Sequence, residues 1–201
     1  MGFVRCMSAA VVTAGLLVPG AAAAVTFSGD WTVTGNFTDP GLVIDVHPGA
    51  GSFTTRDLKV GESDYVHLFR IWTDESDVGA DDKVPQDIAV AFTLPHVAGT
   101  AEGKTAGKRY LGGLIQAGEL EWDAPLALNF GRNGTGQITL ALTEATFNKG
   151  LFGLHEGYKH GAHVKAKLSY DVAPVPVPAA LPLLLGGVGL IGLAGRRRRA
   201  A

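Results

Sequence analysis

The chain has 201 residues, of which 19 are acidic, 17 are basic and one, Cys6, is a cysteine. The lone cysteine excludes a disulfide framework within the chain. All 19 acidic residues but only 12 of the basic ones lie between residues 25 and 173, which gives this segment a net charge of −7; such a charge argues against nucleic acid as a partner and is compatible with divalent cations.

The N-terminus has the pattern of a secretory signal peptide. Arg5 supplies a positive charge, a largely apolar stretch follows over residues 9–18, and Ala22, Ala23 and Ala24 supply the small residues that a signal peptidase reads. We expect cleavage after Ala24 or one residue earlier, so that residues 1–24 form the signal peptide.

Residues 25–173 alternate between apolar and polar side chains with the period of two that is typical of β-strands. In the last run, Val164, Ala166, Leu168, Tyr170 and Val172 share one face, and His163, Lys165, Lys167, Ser169 and Asp171 share the other. Further strands are predicted at 31–37, 42–46, 65–72, 88–94, 110–116, 119–122, 126–130 and 138–142, separated by glycine- and proline-containing turns. The pattern predicts one all-β domain, an antiparallel β-sandwich of jelly-roll-like form.

The densest acidic stretch contains Asp74, Glu75, Asp77, Asp81 and Asp82. Carboxylate oxygens are the ligands that Ca²⁺ prefers, and a loop with this many of them can wrap such an ion. The spacing does not match that of an EF-hand loop, and the alternative interpretation is a solvated connection between strands. No cofactor is predicted, and calcium is the alternative that this stretch leaves open.

A second candidate metal site contains His155, His160 and His163. The first two histidines are one residue too far apart for the metalloprotease helix, and Gly157 and Gly161 disfavour a helix there. A loop can still gather the three imidazoles around Zn²⁺; the alternative is a polar loop that leads into the last strand.

Other chemistry has weaker support in the sequence. The tryptophans at 31, 72 and 122 are expected in the core, and the alternative is a platform on which sugar rings stack. Glu119, Glu121 and Asp123 alternate with apolar residues, which favours the polar face of a strand over a glycosidase carboxylate pair. No serine or cysteine nucleophile motif is present in residues 25–173.

The C-terminus consists of a Pro-Val segment, an apolar run over residues 179–195 and a cluster of arginines, Arg196, Arg197, Arg198 and Arg199. The run has no charge and is about 25 Å long as a helix, slightly shorter than a bilayer core, and arginines beside it remain on the cytoplasmic side. We therefore expect a transmembrane helix at 179–195 with residues 25–173 outside.

The order of these three parts resembles the VPLPA-CTERM variant of PEP-CTERM sorting signals. The resemblance lies in Val175, Pro176, Val177, Pro178 and Ala179, the Gly-rich helix and the arginines, and it covers residues 174–201. It implies a precursor anchored in the inner membrane and an exosortase-type protease that cuts near the Pro-Val motif. It further implies a final location at the cell surface or in an extracellular matrix rich in exopolysaccharide, as in biofilms.

Three functions follow as expectations. The first is a non-catalytic exported surface or matrix protein that associates with extracellular polysaccharide. The second is a carbohydrate-binding module, Ca²⁺-dependent through the stretch from Asp74 to Asp82. The third is a secreted hydrolase.

Overall fold

The structure is a computed structural model that describes residues 24–131 and 134–173. The predicted signal peptide, apart from Ala24, and the whole predicted sorting signal, from Pro174 onward, lie outside the described residues. Within the described part, no helix is long and apolar enough to cross a membrane.

Antiparallel strands make up most of the described chain. In order they are β1 Ser28–Thr34, β2 Asp45–His47, β3 Ala50–Thr54, β4 Ser63–Trp72, β5 Gln86–Leu94, β6 Val97–Tyr110, β7 Ile115–Trp122, β8 Leu126–Phe130, β9 Gly136–Leu142, β10 Ala145–Leu151 and β11 Ala162–Val172. Short 3-10 turns occupy Leu111–Gly113 and Tyr158–His160. The prediction of an all-β fold is confirmed.

The strands form two sheets. One has six strands in the order β10-β7-β6-β5-β1-β3, and the other has five in the order β2-β4-β11-β9-β8. The hydrophobic core lies between them, because side chains from both sheets join one buried cluster. Trp31 of β1 and Phe69 of β4, for example, pack with ring centroids 5.8 Å apart.

An irregularity in β4 determines which residues the five-stranded sheet turns outward. Leu68 and Phe69 are adjacent yet both buried, and the pairing with β11 shifts register at this point. Such a bulge re-aims the side chains on either side of it. The exposed or half-buried positions are consequently Tyr65 and His67 before the bulge, and Arg70 and Trp72 after it.

Several predicted strand limits are wrong. The segment 110–116, predicted as one strand, is the end of β6, the turn at Leu111–Gly113 and the start of β7, because its two glycines have left-handed φ angles of 70° and 96°. Val172, predicted to face the core with Tyr170, is 46% exposed because the register shifts between the two residues.

Candidate functional site

The outer surface of the five-stranded sheet carries a cluster of basic and aromatic side chains that we call the basic face. Its members are His47 of β2, Tyr65, His67 and Arg70 of β4, His163, Lys165 and Lys167 of β11, and Tyr158 of the 3-10 turn above the sheet. A groove of about 230 Å³ runs into it, lined by His47, Pro48, His67, Leu68, Phe69, Arg70, Tyr158 and His163.

Cross-strand pairing arranges the basic face in three rows. His47, Arg70 and His163 are direct neighbours across β2, β4 and β11 and form the first row. His67 pairs with Lys165 in the second row, and Tyr65 pairs with Lys167 in the third. The rings of His67 and His163 meet edge to face with centroids 6.0 Å apart, so the first two rows are in contact.

Arg70 is held in place by the loop that precedes β11. Its Nη2 donates to the carbonyls of Lys159 at 3.1 Å and Gly161 at 3.0 Å. The guanidinium lies 4.7 Å from the ring centre of Tyr158, within cation–π distance. Tyr158 in turn packs edge-on against Trp72 with centroids 5.0 Å apart. The result is a fixed aromatic wall beside a fixed cation.

The cations of the basic face have no carboxylate partner among the described residues. The salt bridges of the described residues are Lys104–Asp87, Lys108–Glu119 and Arg109–Asp77. All three of their cations belong to β6, on the other sheet. The Nε of Arg70 is buried without a hydrogen-bond partner in the described part of the chain. The protein is acidic overall, yet positive charge is left uncompensated on this sheet.

Carboxylates on the same sheet lie at its margins. Asp64 accepts hydrogen bonds from the backbone of Arg56 and of Tyr65, at 2.9 Å each. Asp171 accepts from the Thr139 hydroxyl at 2.6 Å. Asp45 pairs with Trp72 beyond the first row, and burial, aided by the charge of Asp74, raises its pKa. The three rows themselves therefore contain no acidic side chain.

The carboxylates of the predicted calcium-binding stretch contact several different segments of the protein. Asp77 accepts from Arg109 at 2.7 Å and also from Gln116, and Asp81 contacts the Gly41 backbone N–H at 3.5 Å. Its carboxylates thus brace the connections between strands.

Glu75 and Asp82 are the members of that stretch that the fold brings together. Glu75 accepts from the Val43 N–H at 2.7 Å, and Asp82, 5% exposed, accepts from the Gly79 N–H at 2.5 Å. Burial raises the pKa of Glu75 to about 7. The negative charges of Asp82 and Asp39 and a hydrogen bond to Asp82 add to this rise, whereas the hydrogen bond from the Val43 N–H opposes it. Glu75 is therefore a proton-binding carboxyl near neutral pH.

Asn148 ties the acidic stretch to the loop that holds Tyr158. The side chain is fully buried and accepts from the Thr73 N–H at 3.0 Å. It donates to the carbonyls of Thr73 at 3.0 Å, Gly157 at 3.2 Å and His155. Its backbone φ of 52° is one that asparagine tolerates better than most residues.

Two of the three histidines of the predicted zinc site lie together, and the third lies elsewhere. His155 and His160 lie with ring centroids 5.0 Å apart, whereas His163 faces His67. Within residues 24–131 and 134–173, no group of three or more histidine, cysteine, aspartate or glutamate side chains is placed to hold a metal ion. Zinc and calcium binding stay predictions.

Sequence reasoning found part of the basic face. The alternation in β11 predicted that His163, Lys165 and Lys167 point outward together, and they do. His47, His67 and Arg70 were missed, because their proximity depends on strand pairings between distant segments. Of the three tryptophans, Trp31 is in the core as expected, Trp122 is half-buried against it, and Trp72 supports the aromatic wall.

Comparison of the chain with models of protein families, with curated proteins and with solved structures finds no match.

Proposed function

We propose that the chain is a non-catalytic exported protein of the cell surface or extracellular matrix that associates with exopolysaccharide. Residues 25–173 serve as a jelly-roll-like β-sandwich ectodomain, and the basic face is its contact surface for the polymer. The observation that carries this proposal is the groove, in which Tyr158 and Arg70 form a rigid wall beside exposed imidazoles. Aromatic rings with a polar edge are suited to lie against sugar rings, which present both C–H and hydroxyl groups.

In the same proposal, residues 1–24 are a signal peptide and residues 174–201 are a sorting signal of the VPLPA-CTERM kind. The helix at 179–195 holds the precursor in the inner membrane, and an exosortase-type protease acts near Val175, Pro176, Val177, Pro178 and Ala179. The proline-rich segment supports this, because it favours the extended backbone that a protease cleft binds.

Two measurements test the proposal. Fractionation of producing cells should place a shortened form of the protein with the matrix polysaccharide, and mass spectrometry should show that its C-terminus lies near the Pro-Val motif. Replacement of Val177-Pro178-Ala179 by Gly-Ser-Gly should leave the full-length form in the inner membrane. Unchanged release of a shortened form by that variant, or full-length protein in the cytosol, would contradict the proposal.

A calcium-dependent carbohydrate-binding module is the second candidate. It is favoured by the paired carboxyls of Glu75 and Asp82, because a divalent cation would bind there in place of the proton that Glu75 retains near neutral pH. Glycan binding that chelator abolishes, and that Ca²⁺ restores, would support this candidate. Binding that is unaffected by chelator would leave the first proposal and exclude this one.

A further inference from the structure

We propose that the polymer recognised by the basic face is a carboxylate-bearing polysaccharide, a polyuronate. This inference rests on the proposed association with polysaccharide and names the class of sugar that the site takes. The charge of the face, its shape and the distribution of carboxylates over the protein each support it.

The charge of the face is available to a ligand. Lys165 and Lys167 point outward from the middle of the sheet, next to β4, and Arg70 keeps its charge because its hydrogen bonds go to backbone carbonyls rather than to a carboxylate. On β6, in contrast, Lys104, Lys108 and Arg109 are paired with acidic side chains. A carboxylate on the ligand supplies the counter-charge that no side chain of the described residues supplies at this surface.

The shape of the face fits a chain of sugars. Successive rows are two residues apart along β11, so the three rows extend over about 14 Å; on β4 the bulge at Leu68 and Phe69 keeps Arg70 and His67 in step with them. The aromatic wall stands at one end, at Arg70 and Tyr158, and the lysines occupy the other rows. A surface with an aromatic wall followed by regularly spaced cations matches a polymer in which each ring carries a carboxylate. A single small anion would contact only part of this surface.

The overall charge of the protein narrows the choice of polyanion. The remainder of the ectodomain is strongly acidic, and a densely charged duplex would extend past the basic face over carboxylates. A polyuronate is flexible, is less densely charged than DNA and presents sugar C–H groups to Tyr158. The geometry therefore favours polyuronate over nucleic acid.

The test compares binding of the full chain, purified in detergent, to polygalacturonate and to the same polymer with its carboxyls methyl-esterified. We expect polygalacturonate to bind at least about tenfold more tightly than the ester, because esterification removes the charge and keeps the rings. Binding should also weaken strongly between about 0.1 M and about 1 M salt, over which the screening length falls from about 10 Å to about 3 Å.

Matched variants locate the site. The double variant Lys165→Gln/Lys167→Gln should weaken polygalacturonate binding by roughly three- to tenfold, the range expected for two exposed charge contacts. The control Lys104→Gln/Lys108→Gln changes the net charge equally but acts on paired lysines of the other sheet, and should bind like the parent. Tyr158→Ala should weaken binding to both polymers, because ring contact does not depend on the carboxylate.

Four outcomes would overturn the inference. These are equal affinity for the two polymers, equal effects of the two double variants, binding to duplex DNA as tight as to polygalacturonate, and no binding to either polysaccharide. Equal affinity for the two polymers would leave the proposed association with polysaccharide in place and remove only its acidic specificity. Matrix fractionation of the cells tests the proposed function independently of this result.

Discussion

Replacement of Asn148 by alanine should be among the most destabilising single changes in the described part of the chain. The side chain makes four hydrogen bonds at 0% exposure. Two of the partners retain another bond: the Thr73 carbonyl accepts from the Gly157 N–H at 2.9 Å, and the Gly157 carbonyl accepts from the His160 N–H at 3.1 Å. The Thr73 N–H and the His155 carbonyl, in contrast, have no other hydrogen-bond partner in the described part of the chain.

The magnitude follows from these two groups and from the backbone. A buried polar group without a partner costs about 1–3 kcal/mol, which gives about 2–6 kcal/mol for the pair. Alanine at a φ of 52° adds about 1 kcal/mol of strain. Asn148→Gly loses the same hydrogen bonds without that strain, so it should be about 1 kcal/mol more stable than Asn148→Ala, an unusual order for a β-strand position.

Urea unfolding of the purified protein, followed by tryptophan fluorescence, measures these differences. Asn129→Ala is the matched control, because Asn129 is exposed and its side chain accepts a long hydrogen bond from Gln137 at 3.4 Å; the free energy of unfolding of this variant should change by less than about 0.5 kcal/mol. A loss below about 1 kcal/mol in Asn148→Ala, or a glycine variant less stable than the alanine variant, would refute the reasoning.

Three further predictions concern pH, packing and the independence of the two proposed functional regions. The folded state retains the Glu75 proton up to a pKa of about 7, against 4.5 for the free side chain, so the free energy of unfolding should fall as pH rises through this interval. After allowance for solvent screening the fall should be about 1 kcal/mol; the Glu75→Gln variant should lack this component, and an identical pH profile would contradict the assignment. Gly118→Ala should cost about 1–3 kcal/mol in urea unfolding, because its Cβ would lie 2.3 Å from a buried phenylalanine ring, whereas Gly49→Ala, with nothing within 4 Å, should change little. Lys165→Gln/Lys167→Gln should weaken polyuronate binding while immunoblots show normal C-terminal processing; coupled loss of both would mean that the two regions are not separate.

The strands that the sequence predicted correctly are those with large apolar residues at alternate positions. β8 was predicted with its observed limits, Leu126–Phe130, and β11 with its buried face from Val164 to Tyr170. In such strands, the apolar residues that make the core contacts are also the ones that produce the visible alternation in the sequence.

β6 was missed for the opposite reason. Its inward positions hold small residues, so Val97–Tyr110 has no apolar alternation although it is the longest strand in the described chain. A Cβ at Gly103 would lie 2.7 Å from the Trp122 ring, and one at Gly107 would lie 2.6 Å from the Val78 side chain. The large side chains of neighbouring segments fill the space over β6, and only the tertiary structure reveals them.

The candidate site also has a part that local sequence predicts and a part that depends on tertiary packing. Alternation within β11 is local information, and it was sufficient to predict that His163, Lys165 and Lys167 share a face. The bulge at Leu68 and Phe69, which turns His67 and Arg70 toward them, depends on the packing of β4 against the core. Sequence reasoning could therefore group His163 only with residues near it in the chain, either in a zinc site or in a polar loop, whereas the ring that it contacts, His67, lies on another strand.

The position of the basic face along β11 bears on how an anchored precursor would work. His163 lies at the start of this strand, and the chain leaves the sheet after Val172. Lys167 is the residue of the face on β11 nearest to this exit, and the six residues of extended backbone from it to Ala173 span about 20 Å. This is more than twice the screening length of about 8 Å at physiological ionic strength, so lipid headgroups near the proposed anchor would contribute little to the potential at the face. A precursor held by its C-terminal helix would thus present its cations to the polymer outside rather than to the membrane that retains it, and cleavage at the Pro-Val motif would release the protein without altering the surface that binds.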